Sequence, residues 1–129
     1  MSVKVFLAIA AAIAIVYGVA FVLVPEFVLA TYGMTKEPST VLSARYFGVT
    51  LLGIGLITWF VRETSDRTAL RGLLIGLALS DVVGLLISFW GTLSGIMNGM
   101  GWSAVLIYAV LLAGYAYYLF ADRTVTGHA

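Results

Sequence analysis

The stretch ALRGLLIGLALSDVVGLLISFW, residues 69–90, decides the fold. It is apolar for long enough to cross the hydrocarbon of a bilayer, which takes about 20 residues at 1.5 Å of rise each. It also holds one acid, Asp81, close to its middle. A charge at that depth costs about 2.5–3.5 kcal/mol on insertion scales, so it requires a partner or a use.

Working outward, three further runs have the same character: Val5–Val24, Val41–Val61 and Trp102–Phe120, beside Ala69–Trp90 itself. The whole chain of 129 residues is 62% hydrophobic and 10% charged, with a mean hydropathy of +1.08. A soluble domain carries about 25% charged residues because its surface faces water. The expectation is therefore an all-α protein: a single membrane domain over residues 1–129, built as an antiparallel bundle of four transmembrane helices. The first run is longer than the roughly 7–15 residues of a secretory signal core and has no small-x-small cleavage site before Pro25, so it reads as a retained helix.

Pro25 and Glu26 end the first helix, because proline cannot continue the hydrogen-bond ladder and a carboxylate prefers water. Phe27 to Tyr32 is too apolar for a free loop and too short to span, which predicts a short interfacial segment closed by Gly33. Ser39 or Thr40 after Pro38 is the expected N-cap of the second helix. The charged link from Arg62 to Arg67 is short, which predicts that the second and third helices pack directly against each other. The uncharged, glycine-bearing link from Gly91 to Gly101 predicts an interfacial turn, with Asn98 capping it.

Basic residues near the membrane ends set the orientation. Lys4, Arg62, Arg67, Arg71 and Arg123 lie on one side, Lys36 and Arg45 on the other, which predicts both termini in the cytoplasm. Trp59, Trp90 and Trp102 fall near the boundaries, where indole rings sit.

Besides Arg71 at the edge of the third span, two charges lie within predicted spans, Arg45 about one turn into the second helix and Asp81 mid-way along the third. At 1.5 Å per residue their depths differ by about 8 Å, a gap that a long guanidinium narrows by reaching inward; the alternative is that Arg45 snorkels outward to Glu26. Helical spacing puts Arg45, Gly48, Leu52, Gly55 and Trp59 on one face, and Asp81 with Gly84 and Ser88 on another, so both charges are expected to point into the bundle. The pair reads either as a buried ion pair fixing register or, with Glu26 and Tyr46 beside it, as a polar centre that binds something.

Gly72-x-x-x-Gly76, continued by Ser80 and Gly84, is a small-residue ladder of the kind that allows close helix crossing; Ala10, Ala14 and Gly18 repeat it more weakly. Tyr108 and Tyr115 lie two turns apart and offer phenols to a flat lipophile or simply pack. Tyr17-Gly18-Val19 and Phe47-Gly48-Val49 look alike, over too few residues to establish a repeat.

Several classes fall away. Cysteine is absent and the single histidine is His128, next to the C-terminus, so no metal, haem or other cofactor is expected. A net charge of +1 gives no field for nucleic acid. No nucleophile set or phosphate loop is present, and an enzyme is the least supported class.

A first helix ending in proline, an interfacial segment, Ala44-Arg45-Tyr46-Phe47-Gly48 opening the second helix and Gly53-Ile54-Gly55-Leu56 within it together resemble small four-helix bacterial membrane proteins of the DoxX-like type. The resemblance implies an inner-membrane bundle, in some members an accessory subunit of a quinone-linked oxidoreductase. It carries over no catalytic residue.

The leading expectation is a non-catalytic accessory or scaffold subunit whose glycine faces pack within the bundle and against a membrane-protein partner or a second copy. The alternative is a binder or carrier of a lipophilic molecule, quinone-like or lipid-like, that uses Arg45 and Asp81 as its polar floor. Membrane lipids surround the protein in either case.

Overall fold

A computed structural model describes residues 1–121; Arg123 and His128 lie outside the described residues. The elements are α1 (Val3–Leu23), α2 (Pro25–Thr31), α3 (Pro38–Val61), α4 (Arg67–Leu93) and α5 (Gly101–Phe120). Four of these, α1, α3, α4 and α5, are long and apolar enough to cross a membrane, with mean hydropathies between 1.6 and 2.7. Most of their surface faces outward and is apolar, as lipid contact requires.

Local chemistry explains the boundaries. Ser2 caps α1 by accepting from the Val5 amide, and Asp66 caps α4 by accepting from the Thr68 and Ala69 amides at 2.9 and 3.2 Å. Pro25 is not only a stop: it occupies the first turn of α2, where its missing N–H costs nothing. Pro38 does the same for α3, so Glu37, not Ser39 or Thr40, stands at the cap, and no side chain bonds there. Gly33 at φ 71° and Gly95 at φ 81° make the two turns that follow α2 and α4.

The helices form two antiparallel pairs, α1 with α3 and α4 with α5. The expected direct packing of the second and third spans is not found: α3 and α4, joined by the short charged link, barely touch along their lengths. A short link fixes only where two helix ends meet, and here the better-fitting surfaces lie elsewhere.

In the first pair the backbones come together on glycine. A Cβ on Gly48 would lie 2.8 Å from the Gly18 carbonyl oxygen, and one on Gly18 would lie 2.9 Å from that of Gly48. Two turns away, a Cβ on Gly55 would lie 3.1 Å from the Ala11 carbonyl oxygen and closer still to Ile15. Phe21 and Phe47 cross edge-on beside this seam, their centroids 5.0 Å apart. In lipid, where apolar surface alone does not drive helices together, such close approach supplies the dispersion energy that holds them.

The two pairs join at their ends. At the terminal end Leu7 and Ala10 of α1, Leu70 and Leu74 of α4, and Tyr115, Tyr118 and Leu119 of α5 form one buried cluster. Phe6 lies over Gly114 and meets Tyr115 edge-on at 5.4 Å, while the Tyr118 hydroxyl donates to the Met1 carbonyl at 2.6 Å. At the other end Asn98 clasps the turn after α2. Its side-chain amide donates to the Thr31 carbonyl at 3.1 Å and its backbone N–H to that of Tyr32 at 2.9 Å, while its side-chain oxygen accepts from the Met100 amide. Between these closures the pairs stand apart.

Candidate binding cleft

The gap between the pairs is a cavity of about 810 Å³, lined by residues from all five helices. That volume is within the roughly 300–1,000 Å³ of sites that hold small molecules. Its position follows from the fold: α1 and α3 are locked by glycine, α4 and α5 lock each other, and the two closures hold the pairs at a distance. Lining residues on α1 and α5, such as Ala10, Tyr17, Tyr108 and Tyr115, are buried or half-buried. The exposed lining residues, among them Phe47, Ile57, Gly76, Val83 and Ile87, all belong to α3 and α4, whose inner positions Thr58, Asp81 and Ser88 are buried. The cleft therefore opens sideways between α3 and α4, towards lipid.

Asp81 is the single charged residue on this wall among the described residues. Its relative exposure is 9%, and its Oδ2 has no hydrogen-bond partner among them. Thr58, at 2% exposure on α3, lines the same cleft, and its Oγ1 is likewise unpartnered. Buried polar atoms in native proteins are nearly always bonded, so these two orphans set this part of the wall apart from the apolar lining around it. Phenols gather round the cleft: Tyr17 and Tyr32 line it on one side, with the Tyr32 hydroxyl 3.5 Å from that of Ser103, and Tyr108 and Tyr115 of α5 line the same cavity as Asp81.

The expected Arg45–Asp81 pair does not form. Arg45 is exposed, makes no ion pair among the described residues, and lines a separate small pocket with Glu26 and Lys36 near the α2 end of the molecule. The reason is the glycine seam: with Gly48 and Gly55 turned onto α1, the guanidinium of Arg45 is carried to the outer flank of α3. Arg45 thus shares a pocket with Glu26, the snorkelled arrangement. Tyr46 is 68% exposed and faces away from the cleft, so neither it nor Glu26 belongs with Asp81.

The glycines divide. Gly48 and Gly55 are packing residues of the α1–α3 seam, and Gly84 lies under the Tyr108 ring, with a Cβ placed 2.5 Å from Cε1. Gly72 and Gly76, expected to serve close helix crossing, have nothing within 4 Å of a Cβ and line the cleft instead. Reading the sequence missed Tyr17, Tyr32 and Thr58 as lining residues. The signal for two of them is helical spacing: Thr58 continues the face of Phe47, Leu51 and Ile54, and Tyr17 that of Ala10, Ala14 and Phe21.

No cluster of three or more metal-ligating side chains occurs among the described residues. Comparisons with family models, with curated proteins and with solved structures return no match.

Proposed function

We propose that this protein binds or carries a lipophilic small molecule, quinone-like or lipid-like, within the cleft between its two helix pairs. The observation that carries this reading is the large apolar cavity, open towards lipid, with a nine-tenths buried, unpartnered carboxyl on its wall. A carboxyl at that depth with no hydrogen-bond partner among the described residues is costly to keep, and a bound polar group would offset that cost. The leading expectation, an accessory or scaffold subunit, draws on glycine faces available to a partner. Gly48 and Gly55 are covered by α1 and Gly84 by the Tyr108 ring, which leaves that expectation only the open face of Gly72 and Gly76, the face that lines the cleft. The layout likeness to DoxX-like proteins is compatible with a binder but names no ligand. The same reading puts the protein in the inner membrane with both termini cytoplasmic, on the strength of its asymmetric basic residues.

The test is extraction into nanodiscs followed by native mass spectrometry of the wild type and of Gly76→Phe, which fills the cleft from a position where a side chain meets open space. A small lipophile retained by the wild type and lost from the variant supports the reading. A stoichiometric protein partner with no retained small molecule overturns it in favour of the accessory subunit.

A further inference from the structure

The cleft has a sign as well as a shape. Among the described residues its wall carries one acid and no Lys, Arg or His. Six aromatic rings, those of Tyr17, Phe21, Tyr32, Phe47, Tyr108 and Tyr115, line the same space. Arg45 and Lys36, the bases nearest the α2 end, line a different pocket, and Lys4 and Arg62 are engaged with Glu63 at the terminal end. A phosphate or carboxylate headgroup entering this cleft would meet an acid and find no cation. A positive charge would meet the acid and the negative faces of aromatic rings, an arrangement that holds ammonium ions most strongly where water is excluded.

We propose that the cleft takes a lipophilic cation, an amine or quaternary ammonium, with its charge against Asp81 and its apolar part against α3 and α4 on the open side. The proposal rests on reading the cleft as a lipophile site and narrows the class of lipophile. It also accounts for an Asp81 carboxyl with no partner among the described residues, because the counter-charge comes with the ligand. A proton on Asp81 then competes with the cation for the same oxygen. The other titratable groups facing the cleft are the phenols of Tyr17 from α1, Tyr32 at the end of α2, and Tyr108 and Tyr115 from α5, with none from α3. Phenols have an ordinary value of 10.0 and stay uncharged as the medium is acidified, so they do not mask the competition.

The experiment compares three probes of similar bulk on nanodisc-embedded protein, with protein-free nanodiscs subtracted: tetraphenylphosphonium, tetraphenylborate and uncharged triphenylmethanol. The wild type is expected to bind tetraphenylphosphonium saturably, about tenfold or more tighter than triphenylmethanol, and to bind tetraphenylborate no better than protein-free discs do. Acidification is expected to weaken tetraphenylphosphonium alone. Asp81→Asn is expected to bring tetraphenylphosphonium down to the affinity of triphenylmethanol and to remove the pH dependence, and Asp81→Glu to restore the preference. If Asp81→Asn does not fold, the charge comparison on the wild type still decides. Binding of triphenylmethanol with no preference for the cation overturns this proposal and leaves the lipophile reading standing. Saturable binding of none of the three overturns both.

Discussion

Two helix faces rich in small residues have opposite fates here. On α1 and α3, Ala11 and Gly18 stand two turns apart, as do Gly48 and Gly55, and the antiparallel register brings Gly18 onto Gly48 and Ala11 onto Gly55. On α4, Gly72 and Gly76 stand one turn apart in the motif most associated with close crossing, yet no helix approaches them. Small residues permit contact without compelling it. A face becomes a seam when a second face offers matching hollows at the same spacing, and becomes a cavity wall when the flanking helices are already committed. The α4 glycines widen the cleft for the same reason that the α3 glycines close the seam: both lack a Cβ.

The largest effect that tests this contrast is Gly48→Ala. The added carbon meets the backbone carbonyl of Gly18 and the Phe21 Cβ, neither of which yields without parting the helices, so a loss of about 1–3 kcal/mol is expected from denaturation in mixed micelles. Gly84→Ala should cost less, about 1 kcal/mol, because the atom it meets belongs to the Tyr108 ring, which turns towards the cleft. Gly76→Ala should be favourable by about 0.5–1 kcal/mol, since nothing opposes the methyl and the helix gains from losing a glycine. A loss at Gly76 equal to that at Gly48 would mean that α4 also forms a glycine seam, and the contrast would collapse.

These differences also explain what the sequence disclosed. Spans are one-dimensional objects: the four apolar runs, Pro25 and the link at Arg62 to Arg67 place every long helix to within a few residues. Pairing is not one-dimensional. The likeness of Tyr17-Gly18-Val19 to Phe47-Gly48-Val49 was visible in the letters and marks two segments that meet, but nothing in either segment says that they face each other. The site suffered from the same limit. Asp81 stood out because an acid in mid-span is costly wherever it points, whereas Arg45 stood out for the same reason and points elsewhere. Thr58 and Tyr17 carry no such penalty, so only the spacing of their faces connects them to the cleft.

A smaller effect examines that separation of Arg45 from Asp81. In a double-mutant cycle with Arg45→Gln and Asp81→Asn the two changes should add to within about 0.3–0.5 kcal/mol, because the side chains share no contact. A true buried pair behaves differently: losing one partner costs about 3–5 kcal/mol and losing the second costs little more. Coupling of that size would restore the ion-pair reading and remove the unpartnered carboxyl on which the cleft's proposed role depends.

The smallest effect belongs to the terminal closure, where Lys4 of α1 meets Glu63 just beyond α3 at 3.0 Å. The hydrogen bond from Lys4, then the charges of Lys4 and Arg62, hold the Glu63 carboxyl below its ordinary value of 4.5. A carboxyl lowered in the folded state stabilises above its unfolded value, and that stabilisation is lost as pH falls through the folded one. The melting temperature of Glu63→Gln should therefore lie slightly below that of the wild type at neutral pH, and the gap should close as the medium is acidified from pH 4.5 downward. Both side chains are more than half exposed, so salt should erase the gap as well. A gap that survives both acid and salt would assign the α1–α3 end contact to packing around the glycine seam rather than to charge.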